Sequence, residues 1–548
     1  RCEGWIAALR LGILAEPRRD RVTALCTRGE NGRDWISNYL VEEVLQRQTE
    51  EVRRFLLETS LLDAFNAPLC AAVTGVDHAQ DILSTIVHAD LFIIALDGAG
   101  EWFRYHHLFQ ELLQRHLRSD RGDRTLAELH RRAAVWLADT GQVADAVGHF
   151  LAAGDIEVAT DLVEHEVHAR VVRDPFGAQR LLSLLCDHEP SMMHRPRLLI
   201  DRCRLAFMFD ASDVARLAPS VEAALASLPP NDAQFPTLQA EFLVVRTHAA
   251  WQQGAIDRAA ETSRQAELCL HLLDDFMVGS LHFLQMHLCI VQDLEDEVGQ
   301  WAARGLAAFT RADFHAGVVA MQRETARWLM RSGAAQAAAQ RFGQIHDDHV
   351  YDSPMVAREL VFAYLYAAEN HYWQDDLPAA RGYQASMSTL ASTLQEEQLI
   401  RLAQLAGHAY AEEASGHDAA QPAPADLVTV FVTRVLRDIA IEFVIRKLIA
   451  DGNEAYAWQL AQELGLFAAP EPAMRYDRVL VPMYLAAIAR GVDLATLTPQ
   501  LEEALLQRQK SGNRFGQVHV LTLMAWQQLR LGENAQANVT LVQAARLA

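Results

Sequence analysis

Few places in this chain of 548 residues gather side chains that could do chemistry. Residues 101–109 read EWFRYHHLF, with His106 and His107 adjacent at the mouth of a leucine-rich stretch. HEVH (His165, His168) and HDDHVYD (His346, Asp347, Asp348, His349) have the i,i+3 spacing that puts two metal ligands on one helix face. No third ligand accompanies either, so we read both as solvated polar faces and assign no metal. Residues 362–373, FAYLYAAENHYW, are the densest aromatic cluster, and Tyr364, Tyr372 and Trp373 are the candidates for lining a ligand groove, against a bland alternative of repeat-core packing. Trp251, Trp301 and Trp328 carry the same two readings. Neither GxSxG nor GxxxxGK[ST] occurs, and no cysteine has a credible histidine partner for nucleophilic catalysis, so no catalytic motif is assigned.

The elements that hold these residues follow from periodicity. EGWIAALRLGIL and YLVEEVLQRQTEEVRRFLLETSLL carry apolar residues at helical spacing, with Val41, Val44 and Leu45 on one face and Val52, Phe55 and Leu56 on another. Asn66-Ala67-Pro68 opens a short helix, because Asn caps and Pro suits the first turn. A further helix is expected over AQDILSTIVHA. The period then changes to two: LFIIAL, a DGAG turn, and EWFRYH, with Trp102, Arg104 and His106 on one side and Phe103 and Tyr105 on the other. Helical spacing resumes at HLFQELLQRHL. Helices, a hairpin and a helix in this order predict a winged helix whose second wing strand runs directly into a helix.

Beyond about residue 126, helix follows helix. A landmark recurs in which Gly or Asp at a turn precedes Ala by five residues: Gly141/Ala146, Gly154/Ala159, Asp210/Ala215, Gly254/Ala259, Gly333/Ala338, Asp375/Ala380, Gly452/Ala457 and Gly532/Ala537. Over most of the chain it returns with a period of about 40 residues, which paired helices stacked as an α-solenoid produce. SLPPNDAQFPT and GHDAAQPAPAD interrupt it as loops.

Composition narrows the function. A formal charge of −22 repels nucleic acid phosphates. Seven scattered cysteines without a CxxC fit reduced thiols in a cytoplasm. LVTVFVTRVLRDIAIEFVI is interrupted by Arg434 and Asp438 and reads as a buried helix rather than a membrane span. The chain starts without an initiator Met and ends in helix-like sequence, so a piece of a longer polypeptide is expected.

Three stretches in order, EGWIAALRLG, YLVEEVLQRQTEEVRRFLLETSLLDAFNAPLCAAVTG and EWFRYHHLFQELL, resemble MalT-type transcriptional regulators, the large ATP-binding members of the LuxR class within the STAND signalling NTPases. The resemblance implies a mainly α chain: the end of an NTPase helical lid at 1–38, a winged helix at 39–125, and a TPR-like right-handed superhelical sensor at 126–548. It implies that the parent protein binds ATP or ADP, that the sensor takes a small effector or a regulatory protein, that the active parent self-associates, and that DNA is met through a helix-turn-helix not contained here. It places His106 at the winged-helix histidine that reaches the ADP β-phosphate, Tyr105 before it, His107 where related proteins have Asp, and Ile6 where they have an adenine-contacting Pro. The competing expectation is a TPR-type protein-binding scaffold without small-molecule sensing.

Overall fold

The computed structural model describes residues 45, 47–89, 92–209, 212–229, 231–253, 255–292, 294–348, 353–409, 434–464, 481–491, 494–510 and 512–547. The expected lid, Ile6, Val41, Val44, His349, the GHDAAQPAPAD loop and the start of LVTVFVT lie outside these residues. The described chain is mainly α and divides into two compact units, one running to Arg170 with Phe176–Met192, the other comprising Val171–Pro175 and residues from Met193 onward.

The first unit opens with α1 (Glu50–Thr59), whose first turn is capped by Thr49 accepting from the Val52 amide. Asn66 caps α2 (Ala67–Thr74) by accepting from the Leu69 amide, and Gly75 ends it in the left-handed region at φ 72°. After α3 (Ala79–His88) come β1 (Ile93–Ala95) and β2 (Phe103–Tyr105), antiparallel with Ile93 opposite Tyr105 and Ala95 opposite Phe103. The wing hairpin expected through DGAG is therefore present. Phe65 extends it by one residue, exchanging both backbone bonds with Phe103 at 2.8 Å. The alternation holds as well: Phe103 and Tyr105 are buried and Arg104 is half-buried.

β2 passes directly into α4 (His107–Asp139), which the resumed helical spacing anticipated. Its dihedrals break at Gly122 (φ 68°, ψ 164°), close to the expected end of the winged helix, so α4 is two helical segments joined at a kink. One core serves both sides of it, since Phe55, Leu69, Ile86, Tyr105 and Phe109 cluster with Leu129, Ala133 and Leu137. The unit continues with α5 (Val143–Ala152), α6 (Ile156–Arg170), α7 (Pro175–Ser183) and the short α8 (Glu189–Met192).

The second unit is a run of antiparallel hairpins. Its first helices, which form an inner row, are α9 (Pro196–Phe209), α11 (Phe235–Gln252), α13 (Asp275–Val291), α15 (His315–Arg331), α17 (Pro354–Trp373), α19 (Glu397–Ala409), α20 (Arg434–Ala450), α22 (Val481–Arg490) and α24 (Arg514–Leu531). Among the described residues, all but α19 have a partner: α10 (Ser212–Ala226), α12 (Ile256–Glu267), α14 (Glu295–Arg311), α16 (Ala335–Asp348), α18 (Leu377–Leu394), α21 (Glu454–Glu463), α23 (Leu494–Lys510) and α25 (Asn534–Leu547). Each inner-row helix packs on the next in the row.

The Gly/Asp-to-Ala landmark has a physical cause. Gly141, Gly154, Gly333, Gly452 and Gly532 all have φ between 77° and 87°, the left-handed turn that ends a helix. Asp375 takes the same conformation at φ 60°, which short polar side chains tolerate. The Ala five residues later sits in the first turn of the next helix and is fully buried at 146, 159, 259, 338, 380, 457 and 537. A larger side chain there would hold the two helices of a hairpin apart.

Candidate functional site

His106 is the N-cap residue of α4, extended at φ −61°, ψ 132°, and its side chain makes no capping bond. Its amide donates to the Phe92 carbonyl at 2.7 Å, and its carbonyl accepts from the Phe109 and Gln110 amides. The ring is buried and stacked on His107, with centroids 4.6 Å apart. Tyr105 anchors this corner. The Thr59 hydroxyl donates to the Phe55 carbonyl at 2.7 Å, so in the 2.7 Å contact between Tyr105 and Thr59 the tyrosine is the donor. Burial pushes the Tyr105 hydroxyl far above the usual phenol range. Phe65 packs on Tyr105 at 4.6 Å, so the strand that delivers His106 to the helix start is held rigidly in the core.

The aromatic candidates of the second unit separate into two places. Tyr364 is buried, 3.1 Å from His346 Nδ1, and its ring lies 6.1 Å from Tyr383. Tyr383 also stacks on His371, which contacts Asp376 Oδ2 at 3.1 Å. Burial, and for Tyr364 the Tyr383 hydroxyl, raise both tyrosines above their ordinary range. Tyr372 and Trp373 belong elsewhere: Trp373 meets Tyr372, Phe515 and His519 at 5.5, 5.6 and 4.3 Å, with the Arg446 guanidinium 5.2 Å from its ring. Tyr364 and Tyr372 nevertheless pack against one hydrophobic core, together with Tyr383 and Phe515. His346 enters an aromatic cluster, and Glu166, within HEVH, pairs with Arg170 at 2.8 Å. Trp251 is buried beside His287, Trp301 lies against His282, and Trp328 is half-buried in the same core region.

Sequence reading missed a polar strip that crosses four inner-row helices. His248 on α11 packs on Phe207 at 4.6 Å, and burial holds its imidazole down at about 3. On α13, His287 lies between Trp251 and Phe283, and burial lowers it to about 4. On α15, Glu324 is buried and bonded to Arg323 at 3.0 Å and Arg327 at 3.1 Å. Burial raises its carboxyl, but Arg327 and Arg323 outweigh burial and hold it at about 2. Arg323 also pairs with Glu359 on α17 and lies over Phe362, while Arg327 lies 4.7 Å from the Tyr366 ring. In sequence, Gln322, Arg323, Glu324, Thr325 and Arg327 stand together on α15, so nothing local sets these charges apart from a solvated face. Among the described residues no group of three or more His, Cys, Asp or Glu is arranged to hold a metal, and no helix is long and apolar enough to cross a membrane.

A wing hairpin feeding a helix, followed by hairpin arrays, defines a winged-helix protein with a TPR-like repeat region. Residues 41–125 match the family model of the MalT winged helix domain, so that segment is a winged helix of the MalT type. The HTH-type transcriptional regulator MalT of Yersinia pestis (strain Pestoides F) is 27% identical over 373 residues, covering 64% of this chain and 39% of that protein. The serine/threonine-protein kinase PknK of Mycobacterium tuberculosis (strain ATCC 25618 / H37Rv) is 37% identical over 164 residues, covering 30% of this chain and 15% of that protein. Among solved structures, a STAND protein with a tetratricopeptide repeat sensor from Pyrococcus horikoshii aligns with a TM-score of 0.46 and 14% identity, over 83% of this chain and 66% of that one. The chain is thus similar to MalT-type regulators and spans less than half the length of the curated relatives it matches.

Proposed function

We propose that this chain is the regulatory and sensing region of a cytoplasmic, ATP-dependent transcriptional activator. The reading is carried by one juxtaposition: a MalT-type winged helix and a long array of helical hairpins in the same chain. The array takes a small effector or a regulatory protein on its inner row, and the occupied state favours the ATP-bound, self-associating form of the longer protein. In that protein ADP holds the resting form, with His106 donating to its β-phosphate at the electropositive start of α4. DNA is met by a helix-turn-helix outside this chain, which itself turns over no nucleotide. The polar strip suits sensing because its buried charges respond strongly to any group placed among them.

A thermal-shift screen of small metabolites against the chain tests the reading, since a ligand bound only to the folded state raises its melting temperature. A saturable shift, lost on substituting Arg323 or Glu359, supports a small effector. Saturable binding of a protein with no metabolite response points to the scaffold alternative. If neither response occurs, the sensing proposal falls.

A further inference from the structure

The inner row of the second unit returns on itself. From α15 it passes through α17, α19, α20 and α22 to α24, and α24 then touches α15. At this return Gly333, in the left-handed turn after α15, lies under the Arg514 side chain, where a Cβ on the glycine would stand 2.9 Å from Cδ and 3.2 Å from Cβ of that arginine. Beside it on α24, Phe515 and, about one turn further, His519 close on Trp373 at the end of α17. From α20, Arg446 meets the same ring, its guanidinium fixed by Glu442 at 2.8 Å.

This junction differs from the packing inside a hairpin. Trp373 is 40% exposed, whereas the landmark alanines that join paired helices are fully buried. Its contacts are rings and one guanidinium, each held by its own helix, so they can part without any hairpin unfolding. Edge-on aromatic and cation–π contacts of this kind are individually modest. Few such contacts joining two rigid bodies make a separable junction.

We propose that Trp373 is the pin of a latch through which the array closes on itself, giving the second unit a closed and an open state whatever ligand it senses. The test uses the full chain carrying Gly333→Cys and Arg514→Cys, with the specific disulfide followed by peptide mass spectrometry during mild oxidation. The internal cross-link should form in the double variant, and adding Trp373→Ala should slow it at least tenfold, whereas Trp373→Phe should slow it far less. Cross-linking at the same rate in the Trp373→Ala background overturns the proposal. Because φ at Gly333 is +87° and a cysteine there is strained, small-angle X-ray scattering of the single variant Trp373→Ala supplies an independent measurement. Its radius of gyration should rise while its helix content by circular dichroism stays that of the parent chain. An unchanged radius, or a loss of helix content, overturns the latch, the second because Trp373 would then be an ordinary folding residue.

Discussion

Replacing Glu324 by Gln keeps the shape of the side chain and removes the charge that Arg323 and Arg327 share. The carboxyl is held at about 2 against an ordinary value of 4.5. A depression of that size corresponds to about 3 kcal/mol at neutral pH, because one pKa unit is worth about 1.4 kcal/mol. Loss of one partner from a buried ion pair costs about 3–5 kcal/mol, the same order. The folded value lies below the unfolded one, so the contribution is complete above about 4.5 and drains away as pH falls toward 2. The penalty of Glu324→Gln should therefore shrink to about 1 kcal/mol at about pH 3. Native-state hydrogen exchange of 315–331 measures the opening free energy of this region in both proteins. A penalty that is the same at neutral and acid pH, or under about 0.5 kcal/mol at neutral pH, refutes the assignment of Glu324 as the charge that holds the strip together.

Tyr105→Phe removes the donor to Thr59 while leaving the Thr59 bond to Phe55 intact, so denaturation should show a loss of about 1 kcal/mol in the first unit with no change in secondary structure by circular dichroism. His130 contacts His149 at 2.8 Å, and burial, then His149 and Arg118, lower its imidazole to about 4. Its neutral form is the one folded, so stability of the first unit should decline as pH falls from about 6.5 toward 4, and His130→Gln should flatten that decline in a pH series of melting curves. If the proposed function holds, His106→Ala in the ATP-binding protein it assumes should weaken ADP binding by a factor on the order of 10 to 100 and raise effector-independent activity. Unchanged ADP affinity with a lowered melting temperature would instead make His106 a packing residue.

Local signals were legible wherever one residue type had one geometric use. Asn66-Ala67-Pro68 announced α2 because a capping oxygen and a proline in the first turn suit no other local structure as well. The alternation of Trp102 to Tyr105 revealed the wing because Phe103 and Tyr105 must share the buried face. The landmark glycines and alanines marked the hairpins because left-handed turns and close helix contacts tolerate few side chains. What stayed hidden was pairing at a distance. The single-residue bridge of Phe65 to Phe103 has no periodicity to reveal it. Arg323 and Glu324 look like ordinary surface charges until α13 and α17 close over them. Tyr364, Tyr372 and Trp373 sit close in sequence on one helix, yet the helix turns Tyr364 toward His346 and leaves Trp373 for α24 to reach.

The inner and outer helices bear unequal burdens, and this bears on sensing. α17 is buried along nearly its whole circumference, including Tyr364, Tyr366, Glu369 and Asn370, and α20 is buried from Ile439 to Ile445. Helices enclosed on every side cannot hydrate their polar groups, so each polar residue they carry must be met by another. Outer helices such as α12 and α25 bury one stripe and leave the rest to water. A group arriving at the outer surface therefore displaces solvent and little else. A group arriving among Arg323, Glu324, Arg327 and Glu359 competes with charges that are already paired, and its binding is tied to how those four are arranged. Any ligand can shift a two-state protein only by its differential affinity for the states. If a ligand binds there as proposed, small displacements among these four charges should change its affinity strongly, because solvent screens them little.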